Sequence, residues 1–192
     1  MLTSCLVNNQ NINNYLDYNH THQKNIRKVF NKFTKTKLLK KNFSLDGCSA
    51  PQYSFKIKSI SKALNNLIKS YKDCYDYSEE VKTLINSVLE NPEFIGGTTS
   101  FDTKVMKASK GKIFCKSGAE SVFLFIDIQK EISGVVKIID GNERAIPISI
   151  LNIFKKLKIM NRLELKILEE IETFDLQNHA GKKIGHISLT IK

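Results

Sequence analysis

The sequence predicts an α+β fold in which helices pack on an antiparallel sheet. Before Gly111 the apolar residues recur at spacings of three and four, as in helices. From Gly111 the spacing changes to two over three short segments, and beyond Ala145 it becomes helical again before a last alternating segment. Neighbouring strands joined by short connections pair antiparallel, so the three central segments predict a meander.

Four segments before Gly111 are predicted as helices, and a bend at Gly96-Gly97 separates the third from the fourth. They are His20–Phe33, Ser54–Tyr71, a helix capped by Ser78 that ends before Pro92, and Phe101–Ala108. The first three have an apolar stripe expected to face the core. The stripes include Ile26, Val29, Phe30 and Phe33 in the first helix and Val81, Leu84, Ile85, Val88 and Leu89 in the third.

The second half of the chain is predicted to hold the sheet and two more helices. The strands are Lys112–Lys116, Val122–Ile128 and Val135–Ile139, with a last strand at Ile184–Ile191. The helices are Ile146–Leu157 and Arg162–Ile171, the latter with Leu163, Ile167 and Ile171 in register.

Composition sets limits on the class of protein. The chain has 192 residues, of which 41% are hydrophobic and 26% charged, so we expect one globular domain over residues 1–192. No segment approaches the roughly 20 apolar residues that cross a bilayer. The start, MLTSCLVNNQ, lacks the basic flank and apolar stretch of a secretory signal, so we expect a cytoplasmic protein with no membrane partner.

The net charge of +11 raises the question of nucleic-acid binding. Only Arg27, Arg144 and Arg162 are arginine, and the lysines are spread along the whole chain. Because readers of phosphate and base edges favour the bidentate guanidinium, this pattern argues against specific nucleic-acid recognition. The run at 35–41, KTKLLKK, is read as a solvated helix end or loop, with a nonspecific anion patch as the alternative.

The cysteines and histidines form no recognisable metal or redox motif. There is no CxxC pair, and cysteines of a cytosolic chain are expected to be reduced. We interpret Cys5, Cys74 and Cys115 as small buried apolar residues. The histidines in the pairs His20/His22 and His179/His186 are expected to be solvated.

Two short motifs could carry chemistry. LDGCSAP, residues 45–51, compresses an acid, a glycine, a thiol and a proline into one connection between helices. A tight turn before a helix-starting Pro51 explains it equally well.

Lys116-Ser117-Gly118 ends a predicted strand, and a Lys-Ser/Thr-Gly strand edge lines the active site of serine acyl-transferases of the penicillin-recognising type. A simple turn between strands is the alternative.

Six blocks together resemble, in order, the rhizobial-type L-asparaginase II family. They are DGCSAP (46–51), NPEFIGG (91–97), FDTKVM (101–106), GKIFCKSGAES (111–121), GVVKIIDGNERA (134–145) and NHAGKKIGHI (178–187). The family's fold is similar to that of serine β-lactamases and glutaminases. The blocks correspond to the C-terminal half of the longer family members, so we expect a truncated chain that lacks the N-terminal catalytic portion.

The resemblance implies hydrolysis of L-asparagine to L-aspartate and ammonia by a serine assisted by lysines, beside a zinc held by two cysteines and a lysine. It implies that Lys116 is the catalytic lysine that partners a serine and that Cys48 is a metal ligand. It assigns substrate-binding roles to Asp46, Gly47, Ser117, Gly118 and Glu120.

The family's serine nucleophile and the CSGKHAG segment with the other metal ligands have no counterpart in this sequence, and Ser121 stands where the family usually has glycine. We therefore expect the isolated chain to be inactive and to bind no zinc by itself, although the resemblance implies zinc for the complete enzyme. A split gene, a misplaced start codon and gene decay all stay open as origins of such a chain, and a separately encoded N-terminal half and a homodimer are both left open as partners. The alternatives are a noncatalytic basic binding or interaction module and an amidase acting on glutamine.

Overall fold

The computed structural model describes residues 1–171 and 174–190. The chain divides into two compact units, Met1–Leu67 and Ile68–Lys192. Helices and small antiparallel sheets make up both units, which confirms the predicted α+β class. The single domain expected over 1–192 stays a prediction.

The first unit contains helices and one short hairpin. Its elements are α1 (Leu2–Val7), α2 (Thr21–Thr34), β1 (Phe43–Leu45), β2 (Pro51–Tyr53) and most of α3 (Ile57–Tyr71). Helices α2 and α3 are those predicted. The sequence analysis missed α1 and the hairpin, because elements of three to six residues are too short to show a period.

The start of α2 corrects the expectation for two histidines. His20 and His22 are buried rather than solvated. His20 is the N-cap of α2, and its Nδ1 accepts a hydrogen bond from the backbone N–H of His22 at 3.0 Å. Burial, together with the positive charges of the N-terminus and His20, lowers the pKa of His22. His179 and His186 are exposed, as predicted.

The apolar face predicted for α2 is only partly buried. Phe33 is buried, but Val29 and Phe30 are exposed. The helix buries Arg27 in their place, with its guanidinium 3.8 Å from the centre of the Tyr18 ring. A hydrogen bond from Arg27 to the Tyr53 hydroxyl at 3.1 Å completes this arrangement. The contacts of Arg27 with two tyrosine side chains, rather than the amphipathic pattern alone, therefore determine which face of α2 is buried.

The second unit holds the main sheet and the remaining helices. The helices are α4 (Ser78–Glu90), α5 (Glu93–Gly96), α6 (Phe101–Ala108), α7 (Ile146–Lys156) and α8 (Arg162–Ile171). The strands are β3 (Ile113–Gly118), β4 (Val122–Asp127), β5 (Ile132–Lys137), β6 (Asp175–Gln177) and β7 (Lys183–His186). Ser78 is the first residue of α4 rather than its cap, which is Tyr77.

Strands β3, β4 and β5 form the predicted antiparallel meander in that order. The last predicted strand, Ile184–Ile191, corresponds to β7, which pairs with β6 in a separate two-stranded sheet. Ile191 lies outside the described residues. The strand order makes β3 an edge of its three-stranded sheet, and its outer edge is therefore free to meet helices.

The hydrophobic core of the second unit lies between the meander and its helices. Helices α4 and α6 contact β3, and α8 contacts α6 and α7. Phe125 of β4 meets Phe154 of α7 edge to face, with ring centroids 5.0 Å apart. The fully buried large apolar side chains of this unit are Ile85, Val105, Met106, Ile113, Phe123, Phe125, Ile126, Ile150, Phe154 and Leu168.

One helix presents a different face from the one predicted, and a second departs from its predicted face at one residue. In α8, Leu163 is 65% exposed and Ile167 is also exposed, whereas Glu164, Leu165 and Leu168 are buried. In α4, Leu84 is exposed, although Val81, Ile85 and Val88 face inward as predicted. Several apolar stripes compete on such short helices, and packing against neighbours selects among them. The side chain of Ile171 lies outside the described residues.

Cysteine burial follows the prediction at two of three positions. Cys5 and Cys115 are buried, but Cys74 is exposed because it lies in the turn that follows α3. Among the helices of the described residues, none is both long and apolar enough to cross a membrane.

Candidate active site

The second unit contains a cleft of about 460 Å³ at the end of β3. Lys116, Ser117 and Gly118, the motif singled out in the sequence, line it together. The other lining residues are Gly96, Ser100, Phe101, Asp102, Ser121, Val122, Glu143, Arg144, Ile146 and Pro147. Both signs of charge therefore meet in one concave surface, which suits a small zwitterionic ligand.

Asp102 is a central residue of the cleft that the sequence analysis missed. It lies in the first turn of α6, where Ser100 caps the helix by accepting a hydrogen bond from the N–H of Thr103 at 3.2 Å. Its Oδ2 accepts a hydrogen bond from the backbone N–H of Ser117 at 2.8 Å, and the Ser117 hydroxyl donates to its Oδ1. The carboxylate thus fastens the end of β3 to the start of α6.

The amine of Lys116 belongs to the same cluster. Its Nζ lies 3.6 Å from Asp102 Oδ2 and donates a hydrogen bond to the carbonyl oxygen of Ser117. The side chain is 44% exposed, whereas the Asp102 side chain is 2% exposed. Among the described residues, no serine hydroxyl is hydrogen-bonded to this amine. Lys116 therefore presents a cationic, partly solvated group to the cleft.

The turn after β3 places the remaining predicted residues of this motif. Glu120 and Ser121 adopt the left-handed conformation, with φ of 55° and 58°. Ser121 lines the cleft and donates its hydroxyl to the carbonyl of Gly141 at 2.8 Å. Glu120 is exposed and lies outside the cleft lining, so its substrate-binding role stays a prediction. A Cβ at Gly118 would make only ordinary contacts, which gives no steric reason for glycine there.

The loop before α7 contributes Arg144 to the cleft. Its guanidinium donates to Asp140 Oδ2 at 2.6 Å, and the side chain of Asn142 accepts a hydrogen bond from its backbone N–H at 3.0 Å. The backbone N–H of Asn142 and the Arg144 guanidinium lower the pKa of Asp140. The guanidinium of Arg144 is thus paired with one carboxylate, while most of its donors remain available to an anionic group.

Cys115 packs beneath the cleft. Its thiol donates a hydrogen bond to the backbone carbonyl of Asp102 at 3.5 Å and is fully buried. Burial and the nearby Asp102 carboxylate raise the pKa of this thiol well above its ordinary value, although Lys116 opposes the shift. This thiol is a packing group, as predicted, because the thiolate that nucleophilic attack needs is disfavoured.

The second motif, LDGCSAP, forms the β1–β2 hairpin in the first unit. Asp46 Oδ1 accepts hydrogen bonds from the N–H groups of Cys48 at 2.8 Å and Ala50 at 2.9 Å, and Oδ2 accepts one from the Gln52 amide at 2.9 Å. The Ala50 N–H and the Gln52 amide are the main causes of its lowered pKa. Pro51 begins a strand, which corrects the interpretation of a helix-starting proline.

The predicted metal ligand Cys48 is exposed at this hairpin, next to Gly47, whose added Cβ would meet nothing within 4 Å. In the part of the chain that the structure describes, no group of three or more His, Cys, Asp or Glu side chains could hold a metal ion. A structural zinc needs about four ligands. The described residues therefore do not fit a complete zinc site. Asp46, Gly47 and Cys48 keep their site roles as predictions.

The fold and the cleft define a small α+β protein with a lysine–serine strand edge held by a buried carboxylate. A sequence model of the L-asparaginase II family matches residues 1–189. The chain belongs to the L-asparaginase II family, as the six motif blocks predicted. A comparison with curated proteins gives no match. The likeness to serine β-lactamases and the correspondence to a C-terminal half stay predictions.

Proposed function

We propose that this chain acts on L-asparagine, whose hydrolysis gives L-aspartate and ammonia, and that the cleft of the second unit binds the substrate. Family membership supports an asparaginase-like function. The observation that carries the proposal is the Lys116 amine, which faces the cleft while anchored on Asp102. Arg144 supplies a second cation suited to a carboxylate, and Glu143 an anion suited to an ammonium group.

Lys116 acts by holding and moving a proton at its Nζ. Amide hydrolysis requires a group that takes a proton from the attacking oxygen and another that protonates the leaving ammonia. The cationic amine can donate a proton to the leaving ammonia, whereas taking a proton from the attacking oxygen requires the neutral amine and a nucleophile within hydrogen-bond reach.

The nucleophile is a separate requirement. The Ser117 hydroxyl donates to Asp102, and its only hydrogen-bonded contact with Lys116 is through the backbone carbonyl. Such a serine is a structural donor rather than an activated nucleophile. We therefore propose that these 192 residues do not turn over asparagine by themselves, and that a nucleophile from outside them completes the site. Loss of a nucleophile lowers kcat by several orders of magnitude.

A nuclear magnetic resonance titration of the purified chain with L-asparagine tests the binding step. We expect shifts at the backbone amides of Ser117, Gly118 and Arg144 that saturate with ligand. Lys116→Met should abolish them, whereas Lys166→Met, at an exposed lysine of α8, should leave them unchanged. Saturable shifts elsewhere, or an unchanged titration in Lys116→Met, would contradict the proposal. A parallel titration with L-glutamine decides between the two amides, since the tighter ligand identifies the substrate class.

An ammonia-release assay tests the second part of the proposal. We expect no release above a blank from the chain alone. Release by the chain alone that disappears in Ser117→Ala would assign the nucleophile to Ser117 and overturn the requirement for a nucleophile from outside these 192 residues.

The alternative of a noncatalytic basic module has one observation in its favour, the net charge of +11. Binding through lysine–phosphate contacts weakens steeply as salt increases. RNA or DNA binding with such a salt dependence, together with no asparagine-induced shifts, would favour this alternative.

A further inference from the structure

The carboxylate of Asp102 is buried where a charged group is costly. The residue is 1% exposed, and it lies at the start of α6 rather than on the sheet. A buried carboxylate persists only when hydrogen bonds and opposite charge compensate for its lost hydration. Here the compensating groups are the N–H and hydroxyl of Ser117 and the amine of Lys116.

The position of β3 at the sheet edge explains what this carboxylate does for Ser117. An edge strand leaves alternate N–H groups without a neighbouring strand to accept them. The Ser117 N–H donates to Asp102 at 2.8 Å, so the side chain supplies the acceptor that another strand would supply. Because the same carboxylate also accepts the Ser117 hydroxyl, both the backbone and the side chain of this residue are fixed.

The same carboxylate restrains the lysine amine. Lys116 has a long flexible side chain that is 44% exposed, and such a side chain explores many rotamers when it lacks a partner. The ion pair with Asp102 and the hydrogen bond to the Ser117 carbonyl keep the amine over the end of β3. Asp102 makes the first of these contacts itself, and the second goes to a residue that Asp102 holds in place.

We infer that Asp102 is a positioning residue of this site: its buried carboxylate orients the Lys116 amine and the Ser117 strand edge toward the cleft. Asp102 lines the cleft, but it is 1% exposed and its carboxylate oxygens are engaged by Ser117 and Lys116, so it acts through these two neighbours. The role of the cleft rests on the proposed function. The restraint of Lys116 by Asp102 can be measured without any ligand.

Amine labelling with an N-hydroxysuccinimide ester, read by mass spectrometry for each lysine, measures this restraint. Lys112 provides a matched control: it directly precedes β3, is 40% exposed and pairs with Glu164 at 2.5 Å. We expect Asp102→Asn to raise labelling of Lys116 about two- to fivefold, the factor expected for a partly exposed ion pair. Lys112 should be unaffected. Glu164→Gln should raise labelling of Lys112 and leave Lys116 unchanged.

Native amide spectra establish that each variant is folded. Unchanged Lys116 labelling in a folded Asp102→Asn variant would overturn the inference, as would equal increases at Lys112 and Lys116. Asp102→Glu keeps the charge, so its Lys116 labelling should stay closer to that of the wild type than the labelling of Asp102→Asn.

A measurement on the wild-type protein applies even if the variants do not fold. Salt at about 1 M screens a partly exposed pair, and Lys155, an exposed residue in the last turn of α7, serves as the reference. The ratio of Lys116 to Lys155 labelling should therefore increase with salt. A constant ratio would contradict the restraint. If L-asparagine fails to bind while these labelling results hold, the proposed function fails and the inference about Asp102 stands. If asparagine binds but Lys116 labelling is the same in Asp102→Asn as in the wild type, only the inference about Asp102 fails.

Discussion

Gly134 of β5 lies directly opposite Phe125 of β4, and the aromatic ring covers the glycine. A Cβ added at Gly134 would lie 2.5 Å from Cζ of the ring. The ring has little room to move, because it also packs edge to face against Phe154. Because residue 134 has no side chain, the Phe125 ring can pack directly on the backbone of β5.

Gly134→Ala should destabilise the protein by about 1–3 kcal/mol, the usual cost of overpacking a filled core. Urea unfolding followed by circular dichroism measures this change. Gly47→Ala is the matched control, since an added Cβ at residue 47 meets nothing within 4 Å. Equal stability of the Gly134 and Gly47 variants would show that the ring does not constrain residue 134.

Because of the Lys112–Glu164 pair, the free energy of unfolding should decrease at acidic pH. Burial raises the pKa of Glu164, but hydrogen bonds from Lys112 and from the N–H of Asn161 outweigh burial and hold the pKa below its ordinary 4.5. A depressed folded-state pKa adds stability that is present above 4.5 and is lost as pH falls through the folded value. Because Lys112 is 40% exposed, we expect about 0.5–1 kcal/mol from this pair.

Glu164→Gln should therefore flatten the loss of stability below pH 4.5. Thermal unfolding of both proteins over a pH series measures the difference. Glu170→Gln is the control, because its pair with Lys166 is exposed on both sides. If Glu164→Gln loses stability with falling pH as steeply as the wild type, the Lys112–Glu164 pair is not the cause of the acid dependence.

The four cysteines should separate into two reactive and two unreactive thiols. Cys48 and Cys74 are exposed, whereas Cys5 and Cys115 are fully buried. A colorimetric disulfide reagent should therefore titrate two thiols in the native protein and all four after unfolding. Cys48→Ser should lower the native count by one. Rapid reaction of Cys115 would mean that the core beneath the cleft opens readily.

Asp46 should hold the β1–β2 hairpin together. Asp46→Ala removes the acceptor of the Cys48 and Ala50 amides, so hydrogen exchange at both amides should accelerate several-fold. Gln52→Ala removes only a side-chain donor and should leave exchange at these amides nearly unchanged. Because hydrogen bonds lower the Asp46 pKa, this protection is present above its ordinary 3.8 and is lost as pH falls further. Unchanged exchange in Asp46→Ala would contradict this role.

Local sequence determined much of this protein. The period of the apolar residues predicted five of the helices and the three-stranded meander, because helices and strands expose one face at fixed spacing. The order of six short motifs predicted the L-asparaginase II family. The position of Lys116-Ser117-Gly118 at the end of a strand predicted the part of the cleft that these residues line.

Only the tertiary structure determined which face of α8 is buried and which acid serves the lysine. Leu163 and Leu165 are both apolar, and only packing against α6 and α7 selects the second. Asp102 lies 15 residues before Ser117 in the chain, and nothing in the local sequence distinguishes it from the other acidic residues. No local pattern encodes that contact, because it forms only where the start of α6 meets the edge of β3.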